Sequence, residues 1–107
     1  MADLTQTNEF SINGKILHVG NAIYISEKLS KRTAIMEVFV DGKFKQEVAF
    51  DFVNDNMNAL DKVRIGDWVS IDFVLRGRKN IQPDGKARWF TNNEGKQCTM
   101  IQQGQGR

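Results

Sequence analysis

The sequence predicts an all-β domain with one short helix, closed as a five-stranded Greek-key barrel. Three observations point there. Apolar and polar residues alternate with a period of two in four separate stretches, the mark of strands with one face on a core. Turn-forming pairs, Asp41-Gly42 and Gln82-Pro83-Asp84-Gly85, fall between such stretches. Only residues 54–63 carry a spacing that suits a helix. At 107 residues the chain is large enough for one real core and too small for two.

The elements follow in order. Residues 1–9 are polar and expected to fray, leaving a folded domain over 10–102 and a short flexible tail over 103–107. Phe10 to Ile25 reads as one long, interrupted strand, with Ile12 and Ile16 on a shared face, Gly14 as a bend and Gly20-Asn21 breaking the alternation. Ser26 to Arg32 is a charged connector. The second strand, Thr33 to Val40, sets Ala34, Met36, Val38 and Val40 against Ile35, Glu37 and Phe39. Asp41-Gly42 predicts a hairpin into the third strand, where Val48, Phe50 and Phe52 point inward and Glu47, Ala49 and Asp51 outward. The helix over Asn54–Val63 takes Asn54 or Asp55 as its cap and Met57, Leu60 and Val63 as its stripe. Arg64-Ile65-Gly66-Asp67 turns into the fourth strand, with Val69, Ile71, Phe73 and Leu75 on one face. That strand runs out into a basic loop containing the only proline, Pro83, and the fifth strand starts near Ala87. Asn92-Asn93-Glu94-Gly95 reads as a further turn before strand-like Gln97 to Gln102.

Composition bounds the function. With 40% hydrophobic and 26% charged residues the chain is an ordinary globular protein, and a net charge of +2 predicts no polyanion partner by itself. Distribution says more: residues 76–96 hold six Lys and Arg against Asp84 and Glu94, leaving nine against eleven elsewhere. Cys98 is alone, which suits a reducing compartment. No apolar run nears the roughly 20 residues of a membrane span, and the first residues lack the basic and apolar regions of a signal peptide, so no membrane association and a cytoplasmic location are expected. His18 and Cys98 have no metal-ligand spacing around them, and no phosphate-cradling glycine motif or serine elbow occurs. No catalytic residue, metal or cofactor is expected.

Three strands, a short helix and two strands around a long loop is the element order of an OB-fold. Leu75-Arg-Gly-Arg78, the polar loop ending in Asp84-Gly85-Lys86, and Arg88-Trp-Phe-Thr91 resemble the fourth and fifth strands of bacterial and phage single-stranded-DNA-binding proteins. Gly66-Asp67, Trp89-Phe-Thr91 and the Val48-Ala-Phe-Asp-Phe52 strand also resemble a family of small uncharacterised bacterial OB proteins. The resemblance implies single-stranded DNA as the partner. It departs at the end, Gly106-Arg107, where those proteins carry an acidic tip, so recruitment of replication enzymes by such a tip is not expected.

Cations for phosphates beside a flat ring for a base is the chemistry of sequence-tolerant single-strand binding. Arg76, Arg78, Lys79, Lys86 and Arg88 are brought to one loop and two adjoining strand ends, and Lys31 and Arg32 enter from the other long loop. Of the adjacent pair Trp89 and Phe90, basic neighbours favour Trp89 for the outer face and Phe90 for the inner. Phe39 stacks a base, covers the barrel or joins a subunit contact. Tyr24 suits a rim or a binding surface, and Phe44 lies beside Lys43 and Lys45 at a hairpin tip that is otherwise just solvated. Trp68 closes the barrel end or contacts a base, and Phe10 covers an end of the core. The expected function is binding single-stranded DNA in replication, recombination or repair. Two alternatives stand beside it: an RNA-binding OB domain, and a protein-interaction or assembly module that does not bind nucleic acid. One OB domain covers only about 4–16 nucleotides, and faces such as Ile35/Phe39 are free to pair, so a homo-oligomer is expected, a dimer before a tetramer.

Overall fold

A computed structural model describes residues 8–104. The frayed start predicted over residues 1–9 lies outside the described residues as far as residue 7, and so do residues 105–107 of the tail. β1 (Glu9–Val19), β2 (Ile23–Ser26), β3 (Leu29–Val40) and β4 (Phe44–Val53) precede a short 3₁₀ helix (Asn54–Leu60), and β5 (Trp68–Ile81) and β6 (Ala87–Gln102) follow it. The sheet runs β1-β5-β6-β4-β3-β2, and β1 also pairs with β3, so five strands close into a barrel and β2 is an added edge. The helix sits between β4 and β5, and the architecture is the OB-fold Greek-key barrel.

Closure depends on two strands that change partners. β1 pairs with β5 through Lys15 and then with β3 from Lys15 to Val19, with a bulge between Ile16 and His18. Gly14 lies at that transfer, where a Cβ would stand 2.7 Å from Met36 Cγ. β6 slips by one residue between the Asp72–Gln97 and Phe73–Gly95 pairs, and then meets β4 in parallel through Asp51–Glu94 and Phe52–Gly95. Gly95 is buried, and a Cβ there would lie 2.3 Å from the Phe52 ring. Only glycine lets the two backbones close over that phenylalanine.

The alternating stretches build the core as expected. Ile16, Ala34, Met36, Val38, Phe50, Phe52, Leu60, Val69 and Ile71 form its buried cluster, with Ile12, Val48, Met57, Val63 and Phe73 partly buried against it. Phe73 meets Phe50 edge-on at 5.2 Å, and Phe10, 43% exposed, tilts against Phe73 from outside. Asp41 and Gly42 both hold positive φ, and the Lys43 N–H donates to the Val40 carbonyl, so the hairpin the sequence predicts forms here, with residues 41–43 between the paired Val40 and Phe44.

Several expectations are corrected. The single strand over 10–25 is two: the chain breaks after Val19, and Ile23–Ser26 folds back on the start of β3. The connector over 26–32 shrinks to a turn at Glu27-Lys28, because local charge does not prevent a strand when a neighbouring strand supplies hydrogen bonds. The helix is 3₁₀, and neither Asn54 nor Asp55 caps it. Asn54 has φ of +52°, and its Oδ1 accepts the Ser30 N–H at 2.9 Å, which fastens the turn to β3. Trp68 begins β5, pairs with Lys15 at the end of the β1 ladder, and is half-buried. Asn92–Gly95 is no turn but the middle of β6. Leu75 keeps the parity of Val69 and Ile71 yet is 54% exposed, because the core has ended.

Candidate nucleic-acid interface

Residues 75–93 are a two-stranded ribbon that leaves the barrel, not a loop. Leu75 pairs with Asn93, and the ladder continues unbroken to Ile81 and Ala87. Seven residues on each strand at about 3.4 Å per residue carry the arm roughly 24 Å outward. Its tip is built from local chemistry. The Gly85 N–H donates to the Gln82 carbonyl and the Gln82 N–H to the Lys86 carbonyl, both at 2.8 Å, with Gly85 at φ +86°. Pro83 sits at the first corner, and the Asp84 carboxylate accepts the Lys86 N–H at 2.9 Å.

Cross-strand partners share a face, so the register sorts the arm's side chains. One face carries Arg76 with Asn92, Arg78 with Phe90, and Asn80 with Arg88. The other carries Leu75 with Asn93, Gly77 with Thr91, Lys79 with Trp89, and Ile81 with Ala87. Three guanidiniums therefore share one face. Phe90 lies between two of them, Arg78 at 5.5 Å and Arg88 at 5.3 Å from its ring centre. Trp89 is 69% exposed on the opposite face, with Lys79 Nζ 5.8 Å from its ring centre. The sequence reading set one of these rings inward. Neither joins the core cluster, because both stand beyond the barrel.

At its root the basic face turns toward the barrel wall. An open groove of about 510 Å³ runs between the arm and β2–β4, lined on one side by Arg76, Arg78, Asn92 and Glu94. Ile25, Leu29, Lys31, Asp51 and Val53 form its other side. Lys31 is thus brought to Arg76 and Arg78, 45 and 47 residues away in sequence. Lys31 Nζ lies 3.9 Å from Asp51, which also accepts the Thr33 hydroxyl at 2.7 Å.

Glu94 organises the arm's root. It takes Arg76 Nε at 3.0 Å and Nη2 at 3.2 Å in a forked pair, and Lys96 Nζ at 2.8 Å. The Arg76 hydrogen bond holds the Glu94 carboxyl below its usual range against the opposing cost of partial burial, and Glu94 in turn raises Arg76. Arg78, Lys79, Lys86 and Arg88 have no ion-pair partner among the described residues.

The remaining candidates lie elsewhere. Arg32 is tied to the Gly20 carbonyl at 2.7 Å and to Asp61 at 3.2 Å. Tyr24 is 81% exposed, but it pairs with Ser30 on the side of β2 away from Lys31. Phe39 stacks on Trp68 at 6.4 Å and 10°, eight residues along β3 from Lys31. Phe44 stands at the β3–β4 tip with Lys43 5.5 Å from its ring centre. Phe90 and Glu94 are what the sequence reading passed over. The signal was present: Arg76-x-Arg78 and Arg88-x-Phe90 each place two residues on one strand face, once the strands are run through residue 81 and from residue 87.

No helix among the described residues is long and apolar enough to cross a membrane, and no three His, Cys, Asp or Glu side chains among them group to hold a metal. The fold has close counterparts among solved structures. The mitochondrial single-stranded DNA binding protein Rim1 of S. cerevisiae superposes with a TM-score of 0.69 at 16% identity, over 94% of this chain and all of that one. The N-terminal domain of PriB from Thermoanaerobacter tencongensis, a dimeric structure, superposes at 0.62 and 14% identity, over 88% of this chain and 96% of that one. No curated protein matches the sequence. A family model spans residues 11–97, from β1 through the arm to the barrel-closing segment of β6, and by it the chain belongs to the family described as Domain of unknown function (DUF3127).

Proposed function

We propose that the protein binds single-stranded nucleic acid, DNA first, with little base preference, and that it acts by binding rather than catalysis. One observation carries this reading: the arm gathers Arg76, Arg78 and Arg88 on one face, and that face opens at its root into a groove whose far wall supplies Lys31. A strand lying in the groove meets Lys31 and Arg78 with its phosphates and continues along the arm to Arg88 and, at the tip, Lys86. Phe90, between two guanidiniums, offers the flat surface on which a base stacks. Ile25, Leu29 and Val53 give the groove's far wall its apolar part. The fold shared with a protein named for single-stranded DNA binding supports the same reading. Such a protein coats strands exposed in replication, recombination or repair.

Fluorescence anisotropy with labelled oligo-dT, its duplex and a matched RNA, across a salt series, tests it. Salt-dependent binding of the single strand with weaker binding of duplex is expected. RNA preferred over DNA moves the partner class. Equal affinity for duplex and single strand, or binding that salt leaves unchanged, overturns the reading.

A further inference from the structure

The arm's second face is left without a role by a groove on its first. Leu75, Ile81 and Trp89 are 54, 59 and 69% exposed there, with Gly77, Ala87 and Thr91 between them. Together the three large side chains leave on the order of 400 Å² of apolar surface in water, as much as the largest patch on a typical monomer. A two-stranded ribbon with one apolar face uncovered is marginally stable in water. Its only cation is Lys79, already over the Trp89 ring, while three guanidiniums occupy the opposite face. A polyanion therefore finds little on this side.

We infer that this face packs against the same face of a second copy of the chain. Two features select that occupant. The cations lie on the outer faces of the pair, so self-packing brings none of the three guanidiniums together. The pattern is also self-complementary about a two-fold axis. With the arms antiparallel and the axis lying in the interface across the strands, midway between the Gly77–Thr91 and Lys79–Trp89 pairs, each strand faces its own copy, so Trp89 of each copy lies over Thr91 of the other and Lys79 over Gly77. Gly77 has no side chain, and a Cβ added there would touch nothing closer than the Phe90 carbonyl at 3.8 Å. Ile81 then covers Leu75, and Lys79 reaches the rim along its methylene stem. The two patches with their polar surroundings remove on the order of 1,000–1,200 Å² from water, the lower edge of a specific interface. The basic faces of the paired arms then look outward on both sides, open to one strand each.

Sedimentation velocity without nucleic acid tests this on the full chain. The expected species at tens of micromolar is twice the 12.2 kDa chain mass. Trp89→Ser with Ile81→Ser is expected to return the monomer with little change in melting temperature, and Phe39→Ser is expected to leave the dimer intact. In a Trp68→Phe background, the Trp89 emission is expected to shift to the blue as concentration rises. A monomeric wild-type protein, or a dimer that survives the double substitution, overturns the proposal. So does a Trp89→Ser protein of unchanged mass that has lost oligo-dT affinity, which would assign this face to nucleic acid. Because the mass is read with no strand present, failure here leaves the groove's role standing.

Discussion

Replacing Glu94 by glutamine separates the two things its carboxylate does. In the free protein it satisfies the Arg76 fork with two bonds and Lys96 with one, and its side chain is only 17% exposed. A phosphate entering the groove at Arg76 must displace that carboxylate, so Arg76 is largely withheld from an incoming strand. Glutamine keeps the shape, removes the charge and accepts through a single oxygen. Both cations then become available. Each phosphate contact on a single strand adds about 0.7 to the magnitude of the slope of log K against log salt, so two freed cations steepen it by up to about 1.4. The measurement is a salt series of anisotropy titrations on Glu94→Gln and wild type, with thermal melts alongside. Tighter binding at low salt with the steeper slope is the expected result. A slope unchanged in a variant that melts normally would refute the competition, and weaker binding would show that Glu94 serves to hold the arm in place.

Three further outcomes follow from the geometry. Arg78→Ala with Arg88→Ala should flatten the salt slope by about 1.4, since neither guanidinium has an acidic partner among the described residues; Phe90→Ala should instead cost about 1–3 kcal/mol of single-strand affinity with little change in that slope. Gly95→Ala puts a methyl 2.3 Å from the Phe52 ring and should destabilise by about 1–3 kcal/mol or more, read as a fall in melting temperature of roughly 4–8 °C per kcal/mol. Burial, with Asp67 nearby, raises the Cys98 thiol from 9.0 to about 11. Its thiolate at pH 8 is then about a hundredfold scarcer than in the unfolded chain, and alkylation by iodoacetamide should slow accordingly. The folded pKa is the higher one, so the stability the neutral thiol supplies is present below pH 9.0 and lost as pH rises toward 11; Cys98→Ala should remove that alkaline decline.

Local pattern determined a good part of this protein. Alternation over Ala34, Met36 and Val38, over Phe50 and Phe52, and over Val69 and Ile71 places the same residues in the core that the structure buries, with Val48 half-buried at its edge. The Asp41-Gly42 and Pro83–Gly85 turns are legible because the backbone conformations they need are properties of the residues themselves. The order of elements, and with it the barrel, follows from those two signals.

Tertiary structure decided what depends on a distant partner. Asn92-Asn93-Glu94-Gly95 has the composition of a turn, yet β5 on one side and β4 on the other supply ladder hydrogen bonds that outweigh that preference, and Phe52 requires the glycine. Arg76 reads as one more free cation until the fold sets Glu94, 18 residues away, against its fork. Lys31 joins the groove only because the barrel closes. Trp89 and Phe90 show the limit most plainly. Adjacency says that one ring faces each way, but which ring joins the guanidiniums is settled by the pairing of Arg78 with Phe90 and of Lys79 with Trp89. A side chain's face is a local property of its strand; what shares that face belongs to the register, and register is fixed by contacts across the chain.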